Sequence, residues 1–348
     1  MKYLKRIKGI FFITLTLLLL IPSFIYPQFG KNKVQYKIFN WKYIQSKHLD
    51  VYFDDGSYQI AQYAAFVAEN SLASLTKNLD HNISNRIPII VFSSHNEFQQ
   101  NNILDEFLPE GVGGVTELFK NRILVPFEGN YEQFRHVIHH ELLHGFMNDM
   151  FYGGSIQNII SKNITLNIPI WFSEGMAEVQ SLNGLDKATD MFIRDAVLNN
   201  YLPPIEYNDG YLAYRGGQSF FAFLNDTYGD IKLGELMNNI LGTGDVDQAF
   251  KETYKLTTEE LSEKWFKYLK KNHYPEVAKR EDIKDIGKML TNHKIDGGFY
   301  NIAPTISPKG DKFAFISNRS DFFSVFLADI KNGKILDKVI EGNTTNNF

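Results

Sequence analysis

His140-Glu141-Leu142-Leu143-His144 constrains this chain more than any other stretch of it. The five residues lie inside a helical pattern over 131–151. An i, i+4 spacing puts both imidazoles on one helix face, where they can bind one Zn²⁺ ion. Glu141 sits one residue round and can reach a water at the metal. A zinc ion held by two histidines needs a third protein ligand, and a carboxylate from a neighbouring helix leaves the fourth position open. Glu174 is the best candidate. It lies in Ile170-Trp171-Phe172-Ser173-Glu174-Gly175-Met176-Ala177-Glu178, directly after Pro169, a residue suited to a first helical turn. Gly175 and Ala177 are small, as close packing of this helix on the His140 helix requires. The alternative is a polar helix face with Glu174 and Glu178 as an exposed i, i+4 pair. With 9 His in 348 residues, H-E-x-x-H arises by chance in roughly one such chain in a hundred, which favours the metal.

Composition narrows the chemistry. There is no cysteine, hence no disulfide, thiolate ligand or cysteine nucleophile, and any metal site must use His and carboxylates. Lys+Arg at 36 against Asp+Glu at 40 gives a net charge of −4, and no long basic run follows residue 8, which argues against a nucleic-acid partner. Lys2, Lys5, Arg6 and Lys8 precede a largely apolar run over 10–21, the pattern of a secretory signal. Residues 1–27 are therefore read as a cleaved signal peptide or, if uncleaved, a membrane anchor over 9–26. Both readings place the remainder outside the cytoplasmic membrane, secreted or periplasmic.

From residue 36 strands come first and helices later. The segments 48–53 and 86–92 read as strands, 57–78 and 93–102 as helices, and Gly111, Gly113 and Gly114 as a loop. In 121–127, Pro126 points to an edge strand. After residue 130 the signals are helical as far as Asn272. The pattern predicts an α+β domain, a small sheet packed on a helical half, over 36–275. A charged linker follows over 276–298. Residues 299–348 read as short strands and turns, enough for about one propeller blade, on which Phe313, Phe315, Val325 and Phe326 would be exposed.

HELLH followed by WFSEGMAE resembles the gluzincin metallopeptidases, in particular peptidase MA-like domains, where two His and a downstream Glu bind zinc. The resemblance extends through PEGVGGVTELF and the helix before His144 to secreted bacterial proteins that join such a zincin-like domain to a TolB-like β-propeller. APTISPKGDKFAFISNRSDFFSVFLAD is similar to one TolB-type repeat. The resemblance implies Zn²⁺ held by His140, His144 and Glu174, with Glu141 as general base. It also implies that Tyr214, in AYRGGQSFFAFL, donates to an oxyanion, although Gly216 stands where the related Y-x-K-G run has Lys. A partly buried helix tyrosine is the other reading. Gly113, Gly114 and Val115 resemble a substrate-binding loop beside an edge strand able to take an extended peptide, or else an ordinary solvent edge. Glu178 orients a ligating His or is simply solvated, and His136 and His139 are read as structural.

The expected function is zinc-dependent hydrolysis of peptide or protein substrates. The rival is a TolB-like binding protein that contacts an envelope partner through its propeller, with a peptidase-like domain of little turnover. The sequence shows no clear acidic loop to hold a substrate amino group, for which Glu117 is a weak candidate.

Overall fold

The computed structural model describes residues 35–104, 108, 111–118, 120–153, 166–281, 283–320 and 322–342, less the Glu276 side chain. The expected signal or anchor over 1–27 lies outside these. Among the described residues no helix is long and apolar enough to cross a membrane. The chain divides into two compact units, Met1–His273 and Tyr274–Phe348.

The first unit is α+β, as its patterning implies. Five strands, β1 (Lys42–Gln45), β2 (Leu49–Phe53), β3 (Ile87–Phe92), β4 (Val115–Glu117) and β5 (Arg122–Pro126), form one sheet in the order β1-β2-β3-β5-β4. The β2–β3 and β3–β5 pairs are parallel, and the two outer pairs antiparallel. The parallel pairs need crossovers. Helix α1 (Tyr58–Leu79) makes the first, and α2 (His95–Gln99) lies within the second. Central β3 is apolar on both faces, with Ile87, Ile89 and Val91 in the main core and Ile90 and Phe92 in a smaller cluster with Phe98 and Leu124.

The expected edge strand is not at the edge. β5 lies between β3 and β4, and among the described residues β1 and β4 are the outer strands of this sheet. Pro126 is tolerated because of strand parity. The Phe127 amide donates to Phe92 O, so the Pro126 nitrogen faces the other way, beyond the end of β4, which pairs only with Arg122–Leu124.

Helix α3 (Tyr131–Tyr152) crosses this sheet and carries the H-E-x-x-H. Asn130 caps it, its side chain accepting from the Glu132 and Gln133 amides, and Gly153 ends it at φ 65° with its amide on Asp149 O and Asn148 O. Gly145 lets the helix sit on the sheet, since a Cβ there would lie 3.3 Å from Ile123 Cδ1. Then follow α4 (Ile170–Ser181), α5 (Lys187–Leu198), a 3₁₀ turn (Ile205–Tyr207), α6 (Gly210–Tyr228), α7 (Ile231–Thr243), α8 (Val246–Tyr254) and α9 (Thr258–Val277). Trp171, Phe172, Phe220, Phe221, Phe250 and Trp265 fill the core between these helices.

α4 packs on α6 backbone to backbone. A Cβ added at Gly175 would lie 2.4 Å from the Gly217 carbonyl carbon, and one at Gly217 would lie 2.4 Å from Trp171 O. Gly175 therefore serves the contact with α6, a correction to the expectation that it packs on the His140 helix.

The second unit contains α10 (Ile283–Ile286), α11 (His293–Asp296) and strands β6 (Asn301–Ile306), β7 (Lys312–Ser320), β8 (Phe322–Asp329) and β9 (Ile335–Ile340). The strands form an antiparallel sheet in chain order. Among the described residues this is one four-stranded sheet, not a closed propeller. The expected exposure of its aromatics does not hold for Phe313, Phe315 and Phe326, which are buried. Leu290, from the expected linker, packs on their cluster with Ile330 and Ile335, and the Arg319 guanidinium lies 5.1 Å from the Phe315 ring centroid.

Candidate metal centre and cleft

The i, i+4 spacing on α3 places His140 and His144 with ring centroids 5.0 Å apart. Their Nε2 atoms are 3.2 Å apart, and Glu174 Oε2, from α4, lies 3.1 Å from the first and 3.3 Å from the second. Two imidazole nitrogens at this distance share at most one proton, while a carboxylate oxygen faces both. A tetrahedral Zn²⁺ with bonds of about 2.0–2.2 Å has ligand–ligand edges of roughly 3.3–3.6 Å, so one ion meets all three atoms after shifts of a few tenths of an ångström. Two His nitrogens and one Glu oxygen are also a donor set that zinc favours. These residues fit the ion.

Without an ion the charges of this cluster settle on one another. Burial alone would lower the His140 pKa, but the Glu174 and Glu178 carboxylates outweigh it and raise it to about 10. Burial likewise opposes ionisation of Glu174, yet its hydrogen bonds to His140 and His144 bring it down to about 2. Glu178 is shifted in the same sense, its desolvation overcome by His136 and His140.

Glu141, 7% exposed, turns toward β4. The Thr116 hydroxyl lies 2.8 Å from its Oε2 and 2.9 Å from its main-chain O. Gly114 passes so close that a Cβ there would lie 2.8 Å from Glu141 Cγ and 2.9 Å from Val137 Cγ1. Of the expected loop residues, Gly114 and Val115 line a cleft of about 510 Å³ with His140, Glu141, His144, Glu174 and Tyr214. Gly113 faces a smaller pocket beside Val137. Met147, Phe151 and Ile168 give the cleft an apolar side. Glu117 pairs with Arg122, directly opposite in register. Thr116 projects from the other face of β4, so that Glu117 is turned from the side on which Glu141 lies.

Tyr214 stacks on His140 at 6.0 Å between centroids, and burial together with the Glu174 and Glu141 carboxylates pushes its phenol pKa up. Gly216 has its own reason in the fold, because a Cβ there would lie 2.2 Å from Asn208 Oδ1. A larger residue at 216 would require the buried Asn208 side chain to move. Glu178, 4% exposed, is not solvated: Oε1 lies 3.0 Å from His140 Nδ1 and 3.5 Å from His136 Nε2. The His140 contact is an ion-pair distance rather than an aligned hydrogen bond. His136 therefore joins this carboxylate, while His139 is buried with no hydrogen-bond partner at Nε2 among the described residues and is lowered to about 4 by that burial and by Arg135, His136 and His140. His140, His144 and Glu174 form one group able to hold a metal ion, and His136, His140 and Glu178 form another.

Residues 67–271, which run from α1 through α9 and include every residue of this centre, match the Peptidase MA superfamily. The chain belongs to the peptidase MA superfamily. Membership accounts for more than half of its length and agrees with a zincin-like domain whose His and Glu groups could bind a metal. No curated protein matches this peptidase MA chain in sequence. Among solved structures it is similar to a mutant M1 zinc metallopeptidase from Deinococcus radiodurans, 14% identical with a TM-score of 0.37, over 65% of this chain and 50% of that one. The chain thus spans half the length of that protein.

The sequence does not single out Thr116, which touches Glu141, Arg215, whose Nη1 lies 3.1 Å from Glu178 Oε2, or Gly217, at the contact between α4 and α6. Thr116 lies inside the VGGVTELF run, and the period-2 alternation of a strand is the one signal that sets it opposite Glu117.

Proposed function

We propose that the protein hydrolyses peptide bonds with a zinc ion held by His140, His144 and Glu174. The observation that carries this reading is the convergence of these three ligand atoms, 3.1–3.3 Å apart, beside Glu141 in an open cleft. Bound there, zinc would supply a Lewis acid that polarises the scissile carbonyl and acidifies water. Glu141 then takes the proton of the attacking water and delivers it to the leaving amine nitrogen. When the Thr116 hydroxyl donates to Oε2, the other oxygen, Oε1, is left to take that proton. Tyr214 keeps its phenolic proton and can donate it to the developing oxyanion. The outer side of β4 offers backbone groups to an extended peptide.

Glu141→Gln tests this. The expected result is stoichiometric zinc with hydrolysis of an unstructured protein substrate reduced by about 10²–10⁴-fold. Unchanged activity would remove Glu141 from the reaction, and loss of zinc would make it structural.

A secreted or periplasmic location, by signal or anchor, belongs to the same proposal. So does reading the second unit as one blade of the TolB-like propeller its repeat resembles. That second reading, binding of an envelope protein partner, is supported by the outer strands of the sheet, where Ile302, Ile306, Val339 and Ile340 are exposed.

A further inference from the structure

The two groups able to hold an ion among the described residues share His140, which offers Nε2 to one and Nδ1 to the other. What distinguishes them is Arg215 on α6. Its Nη1 lies 3.1 Å from Glu178 Oε2, the oxygen that His136 and His140 leave free. A guanidinium on that carboxylate already supplies the positive charge an ion there would bring, so this group is built to support His140 rather than to bind a second metal.

Resting on the metal-site reading above, we infer that Arg215 is a positioning residue. Through Glu178 it fixes the His140 ring so that Nε2 faces His144 and Glu174. Three features of the fold set up this role. The Gly175–Gly217 contact fixes the approach of α4 and α6 from which Glu178 and Arg215 reach each other. Arg215 is itself held in place: Nε donates to Tyr211 Oη at 3.1 Å, and Nη1 lies 3.0 Å from Thr189 Oγ1. The donors and acceptors run in one consistent direction. Thr189 donates to Gln218 Oε1 at 2.6 Å, and Gln218 Nε2 donates to Gly184 O at 2.7 Å, so the Thr189 oxygen is free to accept from Arg215. Thr189 and Gln218 are fully buried, which makes each of these bonds costly to leave unmade.

The test measures zinc affinity of the full chain by competition with a chromogenic chelator, independently of hydrolysis. Arg215→Met is expected to weaken zinc binding about 10- to 100-fold, the usual cost of losing an outer support of a metal ligand, and Arg215→Lys to recover part of it. In a Glu178→Gln background, Arg215→Met should add less than about twofold, because its route to the metal has already been cut. If Arg215 merely ties helices together, Arg215→Met lowers the melting temperature of the metal-free protein and leaves zinc affinity within about twofold, or the two losses multiply. Either result overturns the inference. Should Arg215→Met fail to fold, Arg215→Gln, which removes the charge from Glu178 and keeps a donor, decides: zinc affinity within about twofold of wild type rejects the role. A wild-type chain that binds no stoichiometric zinc rejects the metal-site reading and this inference with it.

Discussion

At the scale of single residues the centre is legible where chemistry fixes spacing. Two histidines on one helix can share an ion when they are three or four residues apart, and α3 holds His140 and His144 at four. The pH response of the metal-free protein follows from the same groups. His140 has a folded pKa of about 10 against an ordinary 6.5, so the folded state binds the extra proton in that window and stability falls as pH rises through it. Glu174 is depressed from 4.5 to about 2, so its contribution is present above 4.5 and lost as pH falls toward 2. His139, lowered to about 4, makes the unfolded state the better proton binder from 6.5 downward, which also costs stability on acidification. Chemical denaturation of chelator-treated protein should therefore show maximal stability near pH 6.5 and a decline toward pH 10. Zinc must displace the His140 proton, so its affinity should weaken as pH falls from 10, and the loaded protein should lose the alkaline decline. A metal-free protein equally stable at pH 6.5 and 10 would mean that His140 is not held as a cation. Thr116 and Arg215 escape such a reading, because a lone Thr in a strand or Arg in a helix has no spacing partner in sequence. Only the third dimension brings them to Glu141 and Glu178.

At the scale of elements, periodicity places β2, β3, α1 and α3 to within a residue or two, and it misplaces neighbours. Pro126 reads as an edge signal because a proline lacks a ladder donor, yet its consequence depends on which side of the strand that nitrogen faces and where the next strand ends. Gly175 reads as a packing glycine, and which helix it meets is a matter of topology. The α4–α6 contact carries its own prediction. Gly217→Ala places a Cβ against Trp171 O and Gly175 Cα, both backbone, so the helices must part. The expected loss is about 1–3 kcal/mol by overpacking, against an intrinsic helical gain of about 1 kcal/mol for the substitution. Gly242→Ala on α7, where nothing lies within 4 Å, should instead be neutral or stabilising by up to about 1 kcal/mol. Urea denaturation of the two variants gives the comparison, and a Gly217→Ala chain as stable as Gly242→Ala would show that the helices separate without cost.

At the scale of the whole molecule the family match, 67–271, and the metal centre both fall in the first compact unit, so the proposed chemistry makes no use of any residue after His273. The sheet of the second unit extends its influence backward along the chain. Leu290 packs on the Phe313 cluster, Lys288 Nζ donates to Lys331 O, and the Asn292 side chain caps α11, so the segment from 288 onward is tied to β6–β9. Residues 278–281 and 283–287 carry no buried side chain. Sequence alone spreads the linker over 276–298, because a charged, glycine-containing stretch carries no signal of what one leucine in it will meet. The expectation for limited trypsin digestion is accordingly narrower than the linker: the first cuts fall at Lys279, Arg280 or Lys284, before any after Lys294. The larger fragment should keep its zinc and its activity, since every ligand and every helix of the centre precedes the cut. Early cleavage at Lys294, or a fragment ending near residue 280 that loses zinc, would show that the second unit is needed to hold the first together.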